Sequence, residues 1–208
     1  MKRLTRIFKV ILFSTCIVLN TAEICFGQQS SFWFEHLQLP DGDQANFIVD
    51  IAEDSLGFIW FGTWNGLYRY DGRSYTNYVH DPADPTSLSA NWVEMIYVDG
   101  EGTLWVGTFG GLNRFNPEQE TFTSFRNDPE NPTSLSQDSV TVIMEDRLGH
   151  LWVGTMGGLN RMDHETGKFT RYTYDPEDST SLGNDQVRAL YEENQGTIWI
   201  GTKSPCLL

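Results

Sequence analysis

The side chains in this sequence best suited to chemistry are its acids, arginines and histidines, and their spacing decides what each can do. Asp54, Asp99 and Asp146 each stand six residues ahead of a tryptophan, and Glu193 repeats the offset a fourth time. Carboxylates are common general acids and bases. A catalytic acid or base stands apart from a repeat, however, and these recur in step. A glycine follows each three residues later, at Gly57, Gly102, Gly149 and Gly196. Asp first and Gly fourth is the pattern of a type I turn, so these acids read as turn formers. Arg69, Arg114 and Arg161 recur nine residues after the same tryptophans. They fit ion pairs between strands or between repeat units, with anion binding as the other reading. His36, His80, His150 and His164 occupy unrelated positions, so no metal cluster is expected. Neither Gly-x-Ser-x-Gly nor His-Glu-x-x-His occurs. The stretch 196–204 imitates a phosphate loop, but Thr202 separates its second glycine from Lys203, and it sits on a strand pattern. No catalytic residue, cofactor or metal is assigned, and the chain is not read as an enzyme.

What positions these residues is a repeat. Gly57-Phe58-Ile59-Trp60-Phe61-Gly62-Thr63 recurs around Trp105, Trp152 and Trp199, at spacings of 45, 47 and 47 residues. Such a period marks a repeat architecture. Each unit predicts four short strands, seen most clearly in the third. Val140 to Glu145 alternates as a first strand. Leu151 to Thr155 is apolar on both faces, as a strand between layers must be. Gly157-Gly158 makes a tight turn into a third strand, Leu159 to Met162, and Lys168 to Tyr174 is the fourth. Asp-Pro to Ser-Leu segments link one unit to the next. Four antiparallel strands per unit describe a β-propeller blade. The fold class is all-β, a partial β-propeller of about three and a half blades, preceded by a signal helix. Placed alike in each blade, the tryptophans are expected to pack on the next blade, each indole N–H needing one partner.

In chain order, residues 1–27 read as an export signal. Lys2, Arg3, Arg6 and Lys9 precede an apolar run from Val10 to Ala22, and cleavage is placed near Gly27, with an uncleaved anchor as the alternative. Cys16 and Cys25 lie in that segment, which leaves Cys206 without an intrachain partner. Residues 28–45 form an N-terminal strand, Phe32 to Leu37, that would close a propeller by completing its last blade. Blades follow at 46–90, 91–137 and 138–184, and an incomplete fourth at 185–208. That last unit departs from the pattern at Lys203-Ser204-Pro205-Cys206 and reads as truncated. The net charge of −14 argues against nucleic acid and anionic lipid as partners. Open propeller ends predict an oligomer or aggregate if the chain is made alone.

The phrase Gly149-His150-Leu151-Trp152-Val153-Gly154-Thr155, continuing through Gly158-Leu159-Asn160-Arg161, resembles the two-component regulator propeller repeat. The stretch from Gly57 to Gly72 is similar to the first repeat of hybrid two-component sensors of Bacteroidetes, and the resemblance covers 32–202. It implies a periplasmic sensor segment that responds to oligosaccharides. It also implies a parent receptor in the inner membrane, whose histidine kinase and regulator parts lie in C-terminal domains absent from this chain. The alternative is a secreted propeller scaffold for protein–protein contacts.

Ligand-binding candidates come from positions the repeat leaves free. The turn between second and third strands carries Trp64, Phe109 and Met156. The link into each first strand ends at Phe47, Trp92, Ser139 and Gln186. Both groups are expected on one face, and they vary from copy to copy. Phe47, Trp64, Trp92, Phe109 and Met156 are apolar where turns are normally polar, and flat aromatic faces suit stacking on sugar rings. The other reading is that they cap the core or meet a second propeller.

Overall fold

The computed structural model describes residues 36–40 and 47–203. The chain divides into two units, 1–37 and 38–208, and only His36 and Leu37 of the first are described. The expected signal, residues 32–35 of the expected closing strand, and the departure after Lys203 lie outside the described residues.

Fourteen strands and no helix make up the described residues. The first sheet holds β1 (Ile48–Glu53), β2 (Ile59–Thr63), β3 (Gly66–Tyr70) and β4 (Tyr75–Tyr78). The second holds β5 (Val93–Val98), β6 (Leu104–Thr108), β7 (Gly111–Asn116) and β8 (Thr121–Phe125). The third holds β9 (Val140–Glu145), β10 (Leu151–Thr155), β11 (Gly158–Met162) and β12 (Phe169–Tyr172), and β13 (Val187–Glu192) pairs with β14 (Ile198–Thr202) in the fourth. Strands follow sequence order in every sheet and pair antiparallel. This is a partial propeller. One expected strand is shorter than read: β12 stops at Tyr172, because the Tyr174 N–H turns away to Asp185 Oδ1 at 2.6 Å. His80 and Asn127 leave their sheets the same way, onto Asn91 and Asp138.

The recurring acids and tryptophans turn out to be one device. Trp60, Trp105 and Trp152 donate Nε1–H to Oδ2 of Asp54, Asp99 and Asp146 at 2.7, 2.8 and 2.8 Å. The other carboxylate oxygen accepts two backbone N–H groups of the turn, those of Glu101 and Thr103 in the case of Asp99. The turn former is therefore also the indole's partner. Glu193, one methylene longer, reaches Trp199 only at 3.3 Å. Burial raises the pKa of Asp146, but hydrogen bonds from Trp152, His150 and Leu148 outweigh it and hold the carboxyl below its ordinary value.

Trp60 and Trp105 pack into the following sheet as expected. Trp60 lies among Val93, Ile96 and Phe115, and Trp105 among Val140, Ile143 and Phe169. Trp152 has only the two strands of the fourth sheet beyond it and is half-buried, and Trp199 is 62% exposed. Between sheets, a glycine of the second strand in each of the first three sheets receives a side chain from the next first strand. A Cβ at Gly107 would lie 2.6 Å from Val140 Cγ1, and Gly62 and Gly154 meet Val93 and Val187 in the same way. At Gly201 the nearest atoms all belong to Ala189 of the paired strand. Gly107→Ala is expected to destabilise by about 1–3 kcal/mol through overpacking. Gly201→Ala should stay within about 0.5 kcal/mol, since Gly201 is exposed and the nearest side-chain atom to its added Cβ is the Ala189 methyl at 3.2 Å. Urea unfolding midpoints measure both, and equal shifts would refute this packing scheme.

Of the recurring arginines, one makes the expected pair. Arg69 bridges to Glu120 of the next sheet at 2.6 Å. Arg114 and Arg161 make no ion pair among the described residues, which corrects the expectation for both. The third sheet has Gly167 where the second has Glu120, so Arg114 meets no acid there. Arg161 lies over the Trp152 ring instead.

Candidate ligand-binding face

The local chemistry of each repeat pushes one side chain outward at the turn between second and third strands. Thr108 Oγ1 accepts the Gly110 N–H and donates to the Gly111 carbonyl, closing a two-residue turn. Thr63 and Thr155 do the same. Gly111 follows at φ 137°, a conformation that side chains rarely adopt. The first turn residue is then Trp64, Phe109 or Met156. The link into the next first strand comes back to the same end. Gly66 N–H bonds to the Asn91 carbonyl at 2.8 Å, and Phe109 N–H to the Trp92 carbonyl at 3.2 Å. The turns and links therefore share one face.

A buried polar clasp holds that face. Asn113 accepts the Ser89 N–H and the Ser124 hydroxyl on Oδ1, and its Nδ2 donates to Ser89 Oγ and the Val106 carbonyl. Ser89 Oγ also meets Thr108 Oγ1 at 2.7 Å. Ser136, Thr155 and Asn160 repeat the arrangement in the third sheet. Here link, turn and third strand are fastened together just beneath the outward residues. Sequence reasoning missed the clasp, although Ser-Leu-Ser and Gly-Leu-Asn recur at the right places. In the first sheet Tyr68 replaces the asparagine and packs on Leu39 and Phe61.

Four of the five candidates come together. Phe47 stacks on Trp64 with centroids 3.8 Å apart, Trp64 lies 4.5 Å from Trp92, and Trp92 stacks on Phe109 at 4.6 Å. The four rings form a continuous ladder across the first two sheets, and they are 55, 43, 36 and 39% exposed. Met156 takes the corresponding place in the third sheet, its N–H on the Ser139 carbonyl at 3.1 Å, but it joins no ring stack. The stacking decides what the ladder can do. Trp64 and Trp92 each have a ring on either side, so a ligand reaches only their edges. Open ring faces remain only at the ends of the ladder.

The model of a family described as two component regulator propeller matches residues 42–65, 87–110, 134–157 and 181–204. The repeats of this chain are two-component regulator propeller repeats. Each match runs from the link through the first two strands and ends one residue past the outward position, so the candidate face lies within the repeat itself. The chain is similar to the extracellular domain of BT3049 from B. thetaiotaomicron, which is described as a hybrid two component system. The likeness has 30% identity and a TM-score of 0.71, over 81% of this chain and 24% of that one. The corresponding domain of BT4673 from the same organism shares the fold at 23% identity and a TM-score of 0.65, over 82% of this chain and 25% of that one. The protein named Histidine kinase P4 from Formosa agariphila is 36% identical over 83 residues, which are 40% of this chain and 6% of that protein. The chain thus spans about a quarter of the solved domains it resembles.

At the opposite end of the first two sheets lies a cleft of about 620 Å³ lined by Phe58, Arg69, Leu104, Arg114, Phe115 and Glu120 among others. The Arg69–Glu120 pair crosses it, and Arg69 lies over the rings of Phe58, Trp60 and Tyr78. Glu120 has φ 53° where the third sheet has a glycine, and no other non-glycine described residue has a positive φ.

Proposed function

We propose that this chain is the ligand-sensing propeller segment of a hybrid two-component sensor, exported by residues 1–27 to the periplasm and responsive to oligosaccharides. The observation that carries the reading is the exposed ladder of Phe47, Trp64, Trp92 and Phe109. A soluble protein rarely shows a contiguous aromatic surface unless something binds there. Its place on the turns and links, held by the clasp beneath, frees it from any part in the core. The likeness to extracellular domains of hybrid two component systems supplies the setting. The chain has a recognition role in this reading, and kinase chemistry belongs to other parts of such a receptor.

Trp64→Ala and Trp92→Ala in the receptor ectodomain each open the ladder in its middle. Both are expected to weaken oligosaccharide binding at least tenfold by calorimetric titration while the fold persists, about 1.4 kcal/mol or more. Parent-like binding by both would end the assignment of this face.

The reading also predicts self-association of the isolated chain. Ile48 and Ile51 are exposed at one end, and Tyr191, Trp199 and Gly201 at the other. Internal interfaces bury the equivalents of both, so the two ends are complementary and a head-to-tail contact satisfies them. Sedimentation velocity should show oligomers that Ile51→Asp disperses. A monomeric parent would contradict it.

A further inference from the structure

The ladder stops where its own repeat predicts another rung. Rungs come in pairs, one at the end of a link and one at the turn, and in the second, third and fourth repeats the backbone joins the pair alike. Phe109 N–H bonds to the Trp92 carbonyl at 3.2 Å, Met156 to Ser139 at 3.1 Å, and Lys203 to Gln186 at 2.9 Å. From the first sheet to the second, the stack steps from Trp64 to Trp92 at 4.5 Å. The matching step from the second sheet to the third runs from Phe109 to Ser139, which has no ring. Phe109 has Trp92 on one side, nearly parallel at 18°, and is 39% exposed. Among the described residues no ring stacks on its other face. Beyond it the equivalent positions hold a hydroxyl, a thioether, an amide and an ammonium, from Ser139, Met156, Gln186 and Lys203.

An object that completes this stack has one flat apolar face and a hydrogen-bonding rim. A ladder pitch of 3.8 to 4.6 Å matches ordinary carbon contact at about 4 Å. Resting on the oligosaccharide reading above and narrowing it, we infer that Phe109 is the stacking platform for a single pyranose ring, which takes the rung that Ser139 leaves empty. Its axial C–H face lies on the phenyl ring. Its hydroxyl rim meets the polar groups of the third and fourth sheets. The rest of the ladder fixes the platform, since Phe109 is braced from behind by Trp92 and Trp92 by Trp64. The neighbouring Met156 adapts its unbranched side chain to the ring edge. Ser139 is thus a specificity-determining position: its small side chain makes the room.

Saturation-transfer NMR on the full chain with methyl β-glucopyranoside tests this. All ring substituents of that sugar are equatorial, so each face presents only axial C–H groups, and glycerol serves as the acyclic control. Transfer is expected to the glucoside, strongest on the protons of one face, and not to glycerol. Phe109→Leu keeps an apolar side chain but no plane and should reduce transfer at least tenfold. Ser139→Trp supplies the missing rung from the protein itself. It should stack on Phe109, leave the melting temperature unchanged or raised, and reduce transfer as much. Ser139→Ala keeps the room and should retain transfer. Transfer that survives Ser139→Trp but is lost in Trp92→Ala overturns the subsite while leaving the face as the binding surface. No transfer to the glucoside in the parent overturns the subsite as well, and the calorimetric titration with oligosaccharides then decides separately whether the face binds at all.

Discussion

Trp105→Ala is expected to destabilise the protein by about 3–5 kcal/mol, as large aromatic truncations in packed cores do. Trp105 is 1% exposed. It is bounded by Leu135, Val140, Ile143 and Leu151, with the Phe125 ring 6.1 Å away. Its removal leaves a cavity at the boundary between the second and third sheets, where no single strand can collapse to fill it. It also leaves Asp99 without the indole N–H that Oδ2 accepts at 2.8 Å. The other tryptophans supply an internal control. Trp152 is half-buried and Trp199 is 62% exposed with a 3.3 Å contact to Glu193. The loss should therefore fall in the order Trp105, Trp152, Trp199, and Trp199→Ala should cost under about 1 kcal/mol, as surface changes do. Urea unfolding of the three variants gives the ranking. A uniform loss would mean that the tryptophan acts within its own blade and not on the next one.

Asn113→Ala is expected to cost about 2–4 kcal/mol, because several buried polar groups lose their partner together. The Asn113 side chain is fully buried and engages Ser89, Ser124 and the Val106 carbonyl. Alanine leaves the Ser89 N–H without an acceptor in a place where water does not replace it. Ser89→Ala keeps that N–H bonded to Asn113 and removes only the hydroxyl with its bonds to Asn113 Nδ2 and Thr108 Oγ1, so its cost should be smaller, about 1–2 kcal/mol. The larger effect carries a functional consequence, since Ser89 lies three residues before Trp92. Loosening the link in Asn113→Ala should disorder the ladder, which quenching of tryptophan fluorescence by iodide reads directly. Unchanged quenching would separate the clasp from the ladder.

Much of this architecture was legible in the chain because a repeat states each constraint several times. Strand order, the outward positions and the turn-forming role of Asp54, Asp99 and Asp146 follow from offsets around each tryptophan, since strand period and turn chemistry are local. The expectation failed where a residue's partner belongs to another unit. Three arginines recur identically, yet among the described residues Arg69 alone finds an acid, and Arg114 lacks one because Gly167 stands where the preceding repeat has Glu120. A recurring residue specifies its own place in a sheet and cannot specify what the adjacent sheet offers it. Burial behaves likewise: Trp105 and Trp199 sit in the same local phrase and differ from 1% to 62% exposure by what lies beyond them.

The candidate site divides along the same line. By itself the sequence determined that Phe47, Trp64, Trp92, Phe109 and Met156 occupy framework-free positions at one end of the strands, because turn and link positions follow from the repeat. Only the tertiary structure decided that four of them stack ring on ring, with Met156 left outside. Two of those three contacts join positions that periodicity places in one unit, but the step from Trp64 to Trp92 crosses between sheets. It spans 4.5 Å at a sheet boundary where Val93 and Ile96 seat against Gly62. That distance also closes both faces of each indole and moves the open stacking surface to Phe109, which residue type alone could not foretell.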